Sequence, residues 1–110
     1  MNTDGVIQAG SVEIDLVRSV VTRDANEVAL TPMEWRLLRH FADNAGRVVT
    51  SVELLTSIWG RDYRSNVPYL RIWVSRLRRK VEPDPTAPVL IKTMQGMGYM
   101  FDPDGADANP

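Results

Sequence analysis

A chain of 110 residues has room for one domain, which at about this size buries roughly two thirds of the surface its unfolded form exposes. With 44% hydrophobic and 25% charged residues it has the composition of an ordinary globular protein; no apolar run approaches the roughly 18 residues of a membrane span, and the lack of cysteine excludes a disulfide framework and a thiolate metal site. The net charge of −1 conceals an uneven distribution: five cations and eight anions over residues 1–60, eight cations and three anions over 61–92, and three anions without a cation over 93–110.

The opening residues, "MNTDGV", lack the basic and apolar regions of a signal peptide. Residues 1–5 read as a flexible start, and a cytoplasmic location is expected. The first thirty residues read as strands. "VEIDL" alternates apolar and acidic side chains at period two, "SVVTR" is rich in β-branched residues, and "DAN" supplies a turn before "EVAL". A small antiparallel sheet with one wet face follows, with Glu13 and Asp15 on that face.

At "LTPMEWRLLRHFADNAG" the period changes to that of a helix. Thr31 stands at the N-cap, Pro32 at the first helical position and Glu34 where a capping box needs it. Leu37, Leu38, Phe41, Ala42 and Ala45 share one broad face, and Gly46 is placed to end the helix. "RVV" reads as a connecting strand. "TSVELLTSIWG" repeats the signature, with Thr50 and Glu53 as a second capping box and Gly60 as the stop.

After the polar, turn-forming "RDYRSN" comes "VPYLRIWVSRLRRKV", residues 67–81, with five cations and no anion. Pro68 suits the first turn of a helix. At about 100° per residue, Leu70, Val74, Leu77 and Val81 form a stripe to be buried. Opposite lie Ile72, Ser75, Arg76 and Arg79; Tyr69, Trp73 and Lys80 take one shoulder, and Arg71 and Arg78 the other. Such a helix, about 10–12 Å wide, fits a major groove about 12 Å wide, with cations toward both phosphate walls. The same face also fits a merely solvated basic surface. "EPDPTAP" ends the helix, and "VLIKT" and "GYMFD" flank "MQGMG", whose glycines permit a hairpin tip over 89–101. The acidic end, residues 102–110, is rich in breakers and is expected to be disordered.

A moderate helix, a short helix, a long basic helix and a Gly-tipped hairpin come in the order of a winged helix-turn-helix. Together, "LTPMEWRLLRHFADNAGRVVTSVELLTSIWG", "VSRLRRKVEPDP" and "IKTMQGMGYMF" resemble the DNA-binding effector domain of OmpR/PhoB-type response regulators over residues 6–101. Within that family, "YLRIWVSRLRRKVEPDP" is similar to the helix of a regulator of potassium-transport genes. The resemblance implies an α+β fold: an N-terminal four-stranded antiparallel sheet, three helices and a C-terminal wing. It implies double-stranded DNA as partner, bound as direct repeats by copies in tandem, and contact with RNA polymerase. It also implies a phosphoacceptor receiver domain answering to a sensor histidine kinase. Too few residues precede Val6 to form that receiver, so the chain reads as the effector portion.

By family position, Arg76 is the candidate for base reading, since a guanidinium bonds two acceptors of guanine at once; a phosphate contact is its other role. Ile72 is placed against a thymine methyl or against the wing, and Tyr69 against a base or the backbone. Trp73, Arg78, Arg79 and Lys80 resemble phosphate contacts, as do Ser51, Trp59 and, in the wing, Thr93; core packing fits Trp59 equally. Gln95 stands where several relatives place an arginine in the minor groove, and a neutral amide gains less from that groove's potential. Gly96 and Gly98 suit the turn. Arg61, Asp62, Tyr63 and Arg64 match the loop that meets RNA polymerase, or are a plain connector.

Nothing in the sequence calls for a cofactor or a metal. His40 is the sole histidine, and neither a metalloprotease "HExxH" nor a Gly-rich phosphate loop occurs, which argues against an enzyme. The rival reading is a winged helix that binds another protein, because a fold does not dictate a function.

Overall fold

The N-terminal residues fold into a meander of four short strands, β1 (Val6–Ala9), β2 (Val12–Asp15), β3 (Val20–Arg23) and β4 (Asn26–Val28), paired antiparallel in chain order. Alternation decides the faces. Ile7, Ala9, Val12, Ile14 and Val21 are buried, while Gln8 and Glu13 between them are exposed. Between the paired residues Arg23 and Asn26, Asp24 and Ala25 both adopt positive φ (51° and 67°). That two-residue connection has the twist a hairpin needs. The computed structural model describes residues 5–105, so all but Gly5 of the expected flexible start, residues 1–5, lies outside the described residues.

Helix α1 (Pro32–Asp43) starts with its capping box closed: Glu34 N–H donates to Thr31 Oγ1 (3.3 Å) and Thr31 N–H donates to Glu34 Oε1 (2.8 Å). It ends at Asn44, so Ala45 falls beyond it and is exposed rather than joining the apolar face. Gly46 is left-handed as expected, but its N–H ties to Phe101 O at 2.8 Å instead of capping the helix. After β5 (Val48–Thr50), helix α2 (Ser51–Trp59) has only half of its expected box. Thr50 Oγ1 accepts from Glu53 N–H (3.1 Å), whereas the Glu53 carboxylate turns to Arg47 at 2.8 Å and His40 at 3.2 Å. A charged partner outcompetes a backbone amide.

The expected third helix at 67–81 divides. Gly60–Tyr69 form a 3-10 segment, and α3 proper runs Leu70–Val81. Pro68 explains the break: it has no N–H for an i−4 bond, and its ring disfavours α geometry at Val67. The tighter 3-10 turns carry the chain from α2 into α3. The strands β6 (Ile91–Met94) and β7 (Gly98–Phe101) make the wing, and with β5 they form a second sheet in the order β5-β7-β6. Gly98 lies opposite Thr50 across that sheet, where an added Cβ would stand 2.1 Å from the Val49 carbonyl oxygen. Only glycine permits that approach.

Phe41 of α1 packs edge-on to Tyr99 and stacks with Phe101, ring centroids 6.2 and 6.5 Å apart, so the core joins α1 to the wing sheet. At the base of the wing, Glu82 is fully buried. Its carboxylate accepts from the N–H groups of Val89, Leu90 and Ile91 at 2.7–3.2 Å, and Arg23 donates to its carbonyl. One residue thereby links α3, the wing and the N-terminal sheet. The ordered chain continues past Phe101: Asp102 N–H donates to Leu90 O (2.7 Å), Lys92 pairs with Asp102 (2.9 Å) and Gly105 is buried. The start of the acidic end thus bonds to the wing strand, while residues 106–110 of the end expected to be disordered lie outside the described residues.

Candidate nucleic-acid interface

Leu70, Val74, Leu77 and Val81 form the buried stripe of α3, as their spacing predicts. Opposite them Arg71, Ile72, Ser75, Arg76 and Arg79 are exposed and line a shallow concavity of about 510 Å³. Ile72 is 46% exposed, which is unusual for isoleucine and leaves an apolar contact open amid cations. The Arg76 guanidinium lies over the Trp73 ring, 5.2 Å from its centroid. This stacking pre-orients the side chain while leaving its donors free. Arg71 and Arg79 make no hydrogen bond or ion pair among the described residues.

Arg78 and Lys80, read from the sequence as phosphate contacts, are engaged within the protein. Arg78 donates from Nε (3.0 Å) and Nη2 (2.6 Å) to Ile91 O, and from Nη2 to Thr93 Oγ1 (2.9 Å), and its guanidinium lies 5.7 Å from the Tyr99 ring centroid. Burial lowers the pKa of this guanidinium from its ordinary value, with Tyr99 and Glu82 acting the other way. Lys80 Nζ lies 2.7 Å from Oε1 of the buried Glu34. Burial alone would raise the Glu34 carboxyl. The hydrogen bonds from Lys80 and the Thr31 amide outweigh it and hold the group below the ordinary carboxylate value. The reason for both placements is the same: a buried acceptor or carboxylate needs a donor, and these long side chains supply it.

The aromatic candidates divide likewise. Trp59 and Trp73 are half-buried against the core, whereas Tyr69, the last residue before α3, is 51% exposed. Between α3, the start of α2 and the wing runs a groove of about 600 Å³, lined among others by Ser51, Arg71, Arg78, Thr93, Gln95 and Gly96. The structure therefore brings Ser51, Thr93 and the wing tip together beside α3. Gln95 and Gly96 are exposed at that tip with Met97, which is 56% exposed. Sequence reasoning leaves Met97 without a role and sets Arg71 only generally, beside Arg78 on a shoulder toward a phosphate wall; the structure shows that this shoulder faces the wing. Arg61, Asp62 and Arg64 are exposed in the 3-10 segment, while Tyr63 packs partly on the core and its hydroxyl accepts from Arg64 Nε at 3.2 Å.

Elsewhere on α2, Glu53 meets Arg47 and His40, and Ser57 Oγ lies 3.1 Å from His40 Nδ1. The Arg47 hydrogen bond, helped by His40 and opposed by burial, draws the Glu53 carboxyl down to about 2. Among the described residues no group of three or more acidic or histidine side chains could hold a metal, and no helix is long and apolar enough to cross a membrane.

An exposed guanidinium array on a helix, flanked by a wing, is the arrangement of a DNA-binding winged helix. Residues 25–101 match the family model described as "Transcriptional regulatory protein, C terminal". The chain belongs to that family, the DNA-binding effector domain of OmpR/PhoB-type response regulators. It is 43% identical over 97 residues to the transcriptional regulatory protein KdpE of Mycobacterium tuberculosis, covering 88% of this chain and 43% of that protein. The chain thus spans less than half the length of this curated relative.

Solved structures agree on the fold. The response regulator DrrB of Thermotoga maritima, an OmpR/PhoB homologue, superposes with a TM-score of 0.72 at 34% identity, over 89% of this chain and 44% of that one. The DNA-binding domain of Klebsiella pneumoniae RstA, solved in complex with the RstA box, gives 0.72 at 33% identity, over 89% and 97%. The family is a DNA-binding part of transcription regulators, not an enzyme.

Proposed function

We propose that this domain binds duplex DNA sequence-specifically, with α3 in the major groove and the wing, residues 89–101, beside the adjacent minor groove. Arg76 reads a base edge, Ile72 meets a thymine methyl and Tyr69 contacts the site at the entrance to the helix. Arg79 contacts phosphate, joined by Ser51 and the indoles of Trp59 and Trp73. Thr93 reaches the backbone through the wing, and Gln95 and Gly96 approach the minor groove without a cation. Arg78 and Lys80 hold the reading surface in place from within. The observation that carries this reading is the row of exposed cations on α3, unmatched by any acidic side chain on that helix.

The same reading extends to the whole protein. A receiver domain, phosphorylated through a sensor histidine kinase in the cytoplasm, would govern pairing of two such domains on direct repeats, and the segment with Arg61, Asp62, Tyr63 and Arg64 would meet RNA polymerase. Control of potassium-transport genes rests on the KdpE likeness alone; the RstA likeness, lower in identity at 33% but covering 89% of this chain, carries no such hint. Selection from random duplexes followed by titration tests the core of the proposal. We expect one enriched motif, affinity falling steeply with salt, and a loss of about 1–3 kcal/mol for Arg76→Ala with preference flattened at one base position. Salt-independent binding, or none, would favour a protein-interaction module instead.

A further inference from the structure

We propose that Arg71 is the cation that grips the DNA backbone at the junction between the groove entered by α3 and the groove flanked by the wing. This rests on the DNA-binding reading above and sharpens it: the helical wheel sets both Arg71 and Arg78 toward a phosphate wall, and the structure leaves only Arg71 of that shoulder free to meet it. Among the described residues, Arg71 is the one cation that lines both the concavity on the outer face of α3 and the groove between α3, α2 and the wing. It therefore stands where a duplex backbone must pass if the helix and the wing occupy neighbouring grooves.

The wing has no free cation of its own for that backbone. From Thr93 to Phe101 it carries no charged side chain, and Lys92 is paired with Asp102 at 2.9 Å. Arg78, the other cation lining the groove, is held by Ile91 O and Thr93 Oγ1. Arg71 alone remains exposed and unpaired there.

Its position in α3 argues further for a partner outside the chain. Arg71 lies in the first turn, where the helix dipole favours an anion, and that turn has no acidic residue to offset it. A cation kept in an unfavourable place with no internal contact gains its stabilisation from something anionic that arrives. A phosphate suits a guanidinium well, through two parallel charge-assisted hydrogen bonds.

The test measures affinity for the selected duplex between 50 and 200 mM salt for the unmodified domain and for Arg71→Gln, Arg71→Lys, Arg76→Ala and Arg71→Gln combined with Gln95→Arg. Loss of one phosphate contact flattens the salt slope by about 0.9, so the deficit of Arg71→Gln should shrink about 3.5-fold across that range. Base preference should stay as it was. Arg71→Lys should keep the slope, and Gln95→Arg should restore it in the Arg71→Gln background by returning a cation to the wing. Thermal unfolding of free Arg71→Gln should occur at the same temperature as the unmodified domain or above it. An unchanged slope for Arg71→Gln, while the unmodified domain binds and Arg76→Ala weakens it, would overturn this inference and leave DNA binding intact. Absence of salt-dependent binding by the unmodified domain would overturn both.

Discussion

Two sets of cations share α3 and do different work. Arg71, Arg76 and Arg79 point away from the core and make no ion pair among the described residues, whereas Arg78 and Lys80, interleaved with them, are bound to the wing and to α1. The difference arises from angle and from what lies within reach. A residue on the shoulder of the helix passes over the seam with its neighbour, and if that neighbour presents a buried carboxylate or an unmatched carbonyl, the charge is drawn inward. Charge density along the sequence therefore overstates the field offered to a polyanion, and the excess is spent on rigidity of the reading surface.

The largest effect expected of this division is at Arg78. Arg78→Ala would remove three hydrogen bonds from a charged donor to Ile91 and Thr93, and we expect a loss of about 2–3 kcal/mol in urea unfolding. DNA affinity should fall as well, through a loosened wing, with base preference at the α3 positions kept. A stability change under about 0.5 kcal/mol, as for an ordinary surface site, would mean that Arg78 is not an anchor.

A smaller loss, about 1–2 kcal/mol, is expected for Lys80→Ala, because Glu34 keeps its bonds to Thr31 and Lys80 is itself partly exposed. Lys80→Ala combined with Glu34→Gln should recover part of that loss, since no unpaired carboxylate then remains. Equal losses for the single and the double variant would show that the cost of Lys80→Ala does not come from an unpaired Glu34 carboxylate.

The smallest effect belongs to a pair away from both sets. Glu53 has its folded-state pKa depressed to about 2 from an ordinary 4.5. Between those values the unfolded chain binds the proton first, so the stabilisation is complete above the unfolded value and is lost as pH falls through the folded one. The stability difference between the unmodified domain and Glu53→Gln should accordingly narrow on acidification from pH 5 toward pH 2, measured by thermal unfolding. A difference constant with pH would place the contribution of Glu53 elsewhere than in its charge.

Much of this architecture is legible in the sequence because it depends on near neighbours. The stripe of Leu70, Val74, Leu77 and Val81 follows from helical spacing, and the start of α1 from Thr31 and Glu34, three residues apart. What is not legible depends on distant partners. Lys80 meets a carboxylate 46 positions away, and nothing in "LRRK" says which of its cations will do so. Glu82 reads as a polar helix end before two prolines, yet it is a buried acceptor for three backbone amides. The α2 capping box reads the same as the α1 box, and only the arrival of Arg47 and His40 separates them. Pro68 signals both a first helical turn and a break, and the structure uses it as the break.

The direct test of the division within α3 is the salt dependence of DNA binding by Arg79→Ala and Lys80→Ala, measured side by side with the stability of each. Arg79→Ala should flatten the slope by about 0.9 and leave unfolding within about 0.5 kcal/mol of the unmodified domain. Lys80→Ala should do the reverse, lowering stability while the slope stays as it was. Equal flattening by the two variants, or flattening by Lys80→Ala alone, would contradict the assignment of one to DNA and the other to the fold.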